Sequence, residues 1–201
     1  MIINIFTGPL NYDIDMLYKE TKEEVNICVD QGCKIALASK IRIHKAIGDF
    51  DSLDIDIYEE LKREVNDIIE LNSIKDYTDT YTAVKEALKL NPDQIVIYGA
   101  LGNRIDHSIA NIMLLKLGNI TILNNTTRMK MLNPGKYEIN NEYQYISFFA
   151  EEDVFNLNLK GFKYELNNIT LTEENPLCIS NEGSGTISFD EGVLLVIQNN
   201  D

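Results

Sequence analysis

Acidic residues recur at short spacing in this 201-residue chain: Asp49 and Asp51 in "GDFDS", Asp76 and Asp79 in "KDYTDT", and Asp106 beside Arg104 in "GNRIDHS". A further acid, Asp30, closes the run "NICVD". Two carboxylates held close repel by a few kcal/mol at intermediate dielectric unless water or a cation relieves them. In extended chain, residues two apart share a face about 7 Å apart, so Asp49 and Asp51 are expected to point the same way. Each acid also has an ordinary use. Thr78 and Asp79 are good helix caps, Asp106 suits the cap of a helix starting at His107, and "DSLD" after Phe50 is helix-start chemistry. Gly99 and Gly102 serve equally well as turn residues. Independent capping does not explain an acid at four strand ends with pairs at two. A hard cation does, because Mg²⁺ takes oxygen ligands, commonly one or two carboxylates completed by phosphates and water. With Arg104 alongside, the pattern points to a site for a magnesium-bound polyphosphate. The chain has no GxxxxGK[ST], so this is no P-loop, although "TGPLN" at 7–11 offers turn amides after the first strand.

These acids need a frame. Through residue 125, short β-rich runs ("IINIF", "NICVD", "IHKAIG", "DIIELN", "QIVIYGA", "ITILN") alternate with helical patterns. "TDTYTAVKEALKL" reads as a helix with Ala83, Ala87 and Leu90 on one face. "DHSIANIMLLKL" reads as another, with Ile109, Ile112 and Met113 spaced for a buried stripe. Such alternation predicts an α/β domain over 1–125, a mostly parallel sheet flanked by helices, with ligands beyond the carboxyl ends of the strands. After residue 125 the helical patterns stop. "RMKML", "KYEI", "YQYISFFA", "FNLNLKG", "ITLT", "PLCIS", "GTISF" and "GVLLVIQ" predict a small all-β sandwich over 126–201.

Composition narrows the function classes. The profile, 44% hydrophobic and 25% charged, is that of a globular protein. A formal net charge of −14, with no run of more than two adjacent basic residues, argues against a nucleic-acid partner. No apolar run approaches the roughly 20 residues of a membrane span, and "MIINIFTGPL" reads as a strand, so no membrane association and a cytoplasmic location are expected. Cys28, Cys33 and Cys178 fit neither a disulfide framework nor a zinc site, and Cys28 reads as a small core residue. His44 has no ligand at metal spacing and reads as structural or surface.

"IGDFDSL", "KDYTDTYTAVKEAL" and "GALGNRIDHSIANIMLL" resemble, in order and spacing, the three signature blocks of the thiamine pyrophosphokinase family. "GFKYEL", "ISNEGSG" and "GVLLVI" resemble its C-terminal β-domain. The resemblance implies transfer of a pyrophosphoryl group from ATP to the hydroxyl of thiamine, with Mg²⁺, in a homodimer that binds thiamine between subunits. By position it puts Asp49, Asp51 and Asp79 on the metal and catalytic positions, and Arg104 and Asp106 on nucleotide and substrate positions. Asp30, Asp76, Thr78, Arg104 and His107 are expected on the nucleotide side. Ser180 and Asn181 are expected at the thiamine pocket. Asp79 or Asp51 is the expected general base, and His107 a hydrogen-bonding residue at a helix start. Two alternatives share these acids: a diphosphokinase for another hydroxymethyl heterocycle such as a pterin, and a non-catalytic nucleotide- or thiamine-binding module.

Overall fold

A computed structural model describes residues 1–8, 10–21, 23–74 and 76–201. Pro9 of the "TGPLN" turn and Lys75 of "KDYTDT" lie outside the described residues. The chain divides into two compact units, Met1–Asn125 and Thr126–Asp201.

The first unit alternates strand and helix: β1 (Ile2–Phe6), β2 (Glu24–Val29), α1 (Gln31–Ala38), β3 (Lys45–Gly48), α2 (Ile55–Glu64), β4 (Ile68–Glu70), α3 (Asp79–Leu88), β5 (Gln94–Tyr98), α4 (Ile105–Met113) and β6 (Ile120–Leu123). Its strands run in the order β4-β3-β2-β1-β5-β6, and every neighbouring pair is parallel. Parallel strands need crossovers, which the helices supply. Register aligns Phe6 with Cys28 and Tyr98, and Cys28 with Ala46, so one sheet face is continuous and apolar. On it Phe6, Tyr18 and Tyr98 pack with ring centroids 5.0–5.8 Å apart, a geometry worth about 0.5–1.5 kcal/mol per pair beyond area burial. The strand order turns back at β1: β2, β3 and β4 lie to one side, β5 and β6 to the other. The loops after β1 and β5 therefore diverge and open a crevice at their carboxyl ends.

Two helices were not legible in the sequence. In α1 the first turn is Gln-Gly-Cys, and the small Gly32 and Cys33 are buried, so it carries no strong apolar stripe. In α2 only Leu61 is fully buried, and six of its ten residues are charged. The helix expected over 106–117 ends as α4 at Met113 and tightens into a 3₁₀ turn, Leu114–Leu117. Its expected buried stripe is corrected: Ile109 and Met113 are exposed, and the buried members of this segment are Asn111, Leu114 and Leu115. Leu90 likewise lies beyond α3 and is exposed, while Ala83 and Ala87 are buried as expected.

The second unit is all-β: β7 (Thr127–Leu132), β8 (Gly135–Ile139), β9 (Tyr145–Lys160), β10 (Leu166–Leu171), β11 (Cys178–Asn181), β12 (Gly185–Phe189) and β13 (Glu191–Asn199). The sequence reads β9 as two runs, but it is one strand of 16 residues. Its first part pairs antiparallel with β13 and β11, and β13 continues to β7. Its last part pairs with β12 and β10, and β12 continues to β8. Asn156, at φ 56°, lies inside β9, and asparagine tolerates that left-handed backbone. A core of Phe148, Leu157, Leu159, Leu171, Ile187 and Leu194, among others, fills the interior. No helix among the described residues is long and apolar enough to cross a membrane.

Candidate active site

The crevice at the carboxyl ends of β1 and β5 is a cleft of about 730 Å³. Asp30, Asp49, Asp76 and Asp79 line it, with Arg104 and His107. Thr78, Thr7, Gln31, Ser73, Thr80 and Ser108 add hydroxyl and amide groups to the same wall. Helices α1, α3 and α4 all begin at this wall, so their unsatisfied amides and positive dipole ends favour an anion despite the chain's −14 charge.

Asp30 follows β2 with φ 44° and ψ −115°, a strained backbone for a residue with a side chain. Its Oδ1 accepts a hydrogen bond from the Phe50 amide at 3.4 Å. A Cβ on Gly48 would stand 1.9 Å from that oxygen, so the glycine before Asp49 makes room for Asp30. Burial first, then the charge of Asp79, pushes the Asp30 carboxyl up to about 7. A hydrogen bond with Asp79 and the charge of Asp49 raise it further, while the Phe50 amide opposes them. Near neutral pH, a substantial fraction of Asp30 is therefore protonated.

The expectation that Asp49 and Asp51 share a face is corrected. Phe50 between them has φ 55°, so the backbone turns instead of running extended. Its ring is buried and stacks on Tyr58 at 5.5 Å. Asp49 lines the cleft, whereas Asp51 is exposed on the turn and does not. Gln31 ties this turn to the start of α1 through a 3.0 Å bond from Nε2 to the Ser52 carbonyl.

Thr78 caps α3, its Oγ1 accepting from the Tyr81 amide at 3.1 Å, which sets Asp79 in the first turn. The loop from β5 to α4 is fastened at three points. Gly99, at φ 80°, donates to the Tyr12 hydroxyl at 3.1 Å, and a Cβ there would meet the Thr7 carbonyl at 2.0 Å. Burial raises the Tyr12 phenol to about 12, so it stays protonated. Asn111 donates to the Ala100 carbonyl at 2.8 Å, and Gly102 donates to Ser108 Oγ at 3.2 Å. That loop presents Arg104, which is the N-cap position of α4, in place of the expected cap at Asp106. Arg104 forks onto Asp106, with Nε–Oδ1 at 3.3 Å and Nη2–Oδ2 at 2.5 Å. Arg104 faces the cleft and Asp106 does not. The guanidinium holds the Asp106 carboxyl below the usual carboxylate range.

The cleft thus gathers Asp30, Asp49, Asp76, Thr78, Asp79, Arg104 and His107, and leaves Asp51 and Asp106 outside. Ser180 and Asn181 lie on β11 in the second unit. Ser180 is exposed at φ 57°. Asn181 is buried and committed to the backbone: Oδ1 accepts from the amides of Tyr164 and Glu182, both at 2.9 Å, and Nδ2 donates to the Tyr164 carbonyl at 2.8 Å. Its amide holds a turn. The sequence did not single out Ser52, Thr80 or Asn111 as site residues, and it marked Gln31 only as a departure from the family motif. The glycines in "DQGC" and "GALG" mark where the backbone is crowded, at Gly32 against the Phe6 carbonyl and at Gly99 against the Thr7 carbonyl.

Among the described residues, no group of three or more His, Cys, Asp or Glu side chains forms a ready metal cage. The acids at the cleft offer carboxylate oxygens, and one of them is driven toward neutrality by burial and then by its acidic neighbours, the second of which a hard cation relieves. An ion that draws part of its shell from phosphate and water fits such a wall.

Residues 18–124 match the family described as the thiamin pyrophosphokinase catalytic domain, and residues 136–194 match the thiamin pyrophosphokinase vitamin B1 binding domain. A curated relative, the thiamine pyrophosphokinase of Bacillus subtilis (strain 168), is 36% identical over 211 aligned positions, covering 99% of each chain. The crystal structure of thiamine pyrophosphokinase from Bacillus subtilis superposes with a TM-score of 0.90 at 36% identity, over 100% of both chains. That of thiamin pyrophosphokinase from Geobacillus thermodenitrificans superposes with 0.89 at 32% identity, over 100% of this chain and 98% of the other.

Proposed function

The chain belongs to the thiamine pyrophosphokinase family, and from that premise we propose that its cleft moves the pyrophosphoryl group of ATP onto the hydroxyl of thiamine, giving thiamine diphosphate and AMP. The observation that carries the reading is the meeting of four acids and Arg104 where the strand order turns back. Attack of the thiamine oxygen on the β-phosphorus needs alignment and charge neutralisation more than covalent help. Arg104 supplies a planar fork that grips phosphate oxygens, exchanging its Asp106 contact for the substrate. The amides at the starts of α1 and α3 receive further phosphate charge. A cleft carboxylate takes the hydroxyl proton.

Asp49 and Asp79 are the acids that would hold Mg²⁺, with Asp30 beside them; Asp51 joins only if the turn at Phe50 changes. Bound there, the ion would neutralise charge building on the phosphate oxygens. Family membership supports a homodimer in which the Ser180 loop of one chain completes the thiamine pocket of the other. The three free cysteines are all buried as thiols, which suits a reducing, cytoplasmic setting.

The test is a product assay with ATP, Mg²⁺ and a panel of hydroxylated acceptors that includes thiamine and a hydroxymethylpterin. AMP and thiamine diphosphate are expected in equal amounts. Preference for the pterin, or ADP with a monophosphate ester as products, would overturn the reading.

A further inference from the structure

The cleft wall mixes charged and hydroxyl groups with small apolar residues, Val29 and Ala100 among them. Among the described residues that line it, Tyr77 is the one tyrosine or phenylalanine. It precedes the cap residue Thr78 and is 63% exposed, so most of a large ring is left open to solvent beside the cleft. One face of the ring is already covered. Tyr81, one turn into α3, stacks on it with centroids 4.8 Å apart and planes 18° from parallel. Thr78 Oγ1 fixes the Tyr81 amide, so the cap that starts the helix also sets the ring pair. The arrangement is a two-ring shelf, backed by α3, with its outer ring at the cleft.

We propose that Tyr77 is the stacking surface for the purine base of the nucleotide. The inference rests on the reading above that ATP binds in this cleft. Asp79, two residues on, and Arg104 border the same cleft, so phosphates held there leave the attached base within the same walls. A chain of net charge −14 gains little from long-range attraction to a nucleotide polyanion. Its grip on the base must come from short-range, uncharged contact, and a tyrosine face gives that. Base–aromatic stacking typically contributes about 1–3 kcal/mol by alanine substitution. Tyr81 pre-orders the ring, so little side-chain entropy is lost when the base arrives.

The ring pair also has a purely structural use, since apolar contact across a helix start fixes the entry of the chain. Tyr77→Ala and Tyr77→Phe separate the two. Steady-state KM is measured for ATP and for thiamine, with inorganic tripolyphosphate as a competitor that has phosphates but no base. Tyr77→Ala is expected to raise the KM for ATP roughly tenfold, equivalent to about 1.4 kcal/mol. The kcat, the thiamine KM and inhibition by tripolyphosphate should be unchanged, and Tyr77→Phe should behave as the parent. Three results overturn the proposal: an unchanged ATP KM with a lowered melting temperature, a rise confined to thiamine, or equal weakening of tripolyphosphate. All three presuppose a parent protein that turns over ATP and thiamine. A parent that does not would instead sink the functional reading itself.

Discussion

Phe50 decides what the two aspartates beside it can do. Its buried ring and left-handed backbone turn Asp49 toward the cleft and Asp51 toward solvent. Asp49→Asn is therefore expected to lower kcat by two orders of magnitude or more, and Asp51→Asn to cost much less. Circular-dichroism melts should show neither variant less stable, because each removes a charge from an acid-rich region. Comparable losses of kcat in both variants would mean that the turn rearranges on binding. Arg104→Lys keeps the charge but loses the fork, so kcat should drop at least tenfold with the fold intact. Full turnover by the lysine variant would remove Arg104 from the phosphate site. Asp30 gives a pH signature. Its carboxyl binds a proton up to about 7 in the native state, because it is buried and faces Asp79, while in the unfolded chain it ionises near 4. The native state thus holds the extra proton, and stability of the ligand-free protein should fall as pH rises from about 4 to about 7, then level off. Melting temperature against pH in Asp30→Asn should lack that slope; an unchanged slope would assign it to other groups.

At the scale of elements, the glycines act through what they let come close. Gly48→Ala puts a Cβ 1.9 Å from Asp30 Oδ1, so the β3 end or the Asp30 side chain must move. We expect a lower melting temperature and a larger loss of kcat than of thiamine affinity, measured by kinetics and calorimetry together. Gly102, with open space around its Cβ position, should tolerate alanine with little change in either. The six parallel strands were legible because each is a short β-branched run ended by Asp, Gly or Asn. The acids at their ends were legible for the same reason. Helices α1 and α2 were not, since small residues fill the buried face of α1, and the apolar face of α2 is short, carried by Ile57, Tyr58 and Leu61 among charges. The stripe at Ile109 and Met113 was visible but its burial was not, because periodicity shows that a face is apolar and not what covers it. The direction of Asp51 depended on a single positive φ at a phenylalanine, which no residue-type preference announces.

For the whole molecule, the proposed shared site predicts complementation. Mixing Asp49→Asn chains with Ser180→Ala chains, each inactive alone, should restore roughly a quarter of the sites, because about half of randomly exchanged two-fold dimers are mixed. Verified exchange without recovered activity would confine each site to one chain, and an active Ser180→Ala protein would remove Ser180 from the pocket. The strand β9 has a different consequence for the second unit. Its 16 residues supply pairing partners to both groups of strands, β13 and β11 on its first part and β12 and β10 on its last. β9 is the strand that joins the two groups, and it cannot be fully protected unless both are present. The β-unit should therefore exchange its amide hydrogens as one cooperative block, with the protons of β7 and β8 opening at the same free energy as the centre of β9. Because β9 pairs with strands up to the end of the chain, that block also consists of long-range contacts, and its refolding should be the slow phase when the unfolded protein is diluted out of denaturant.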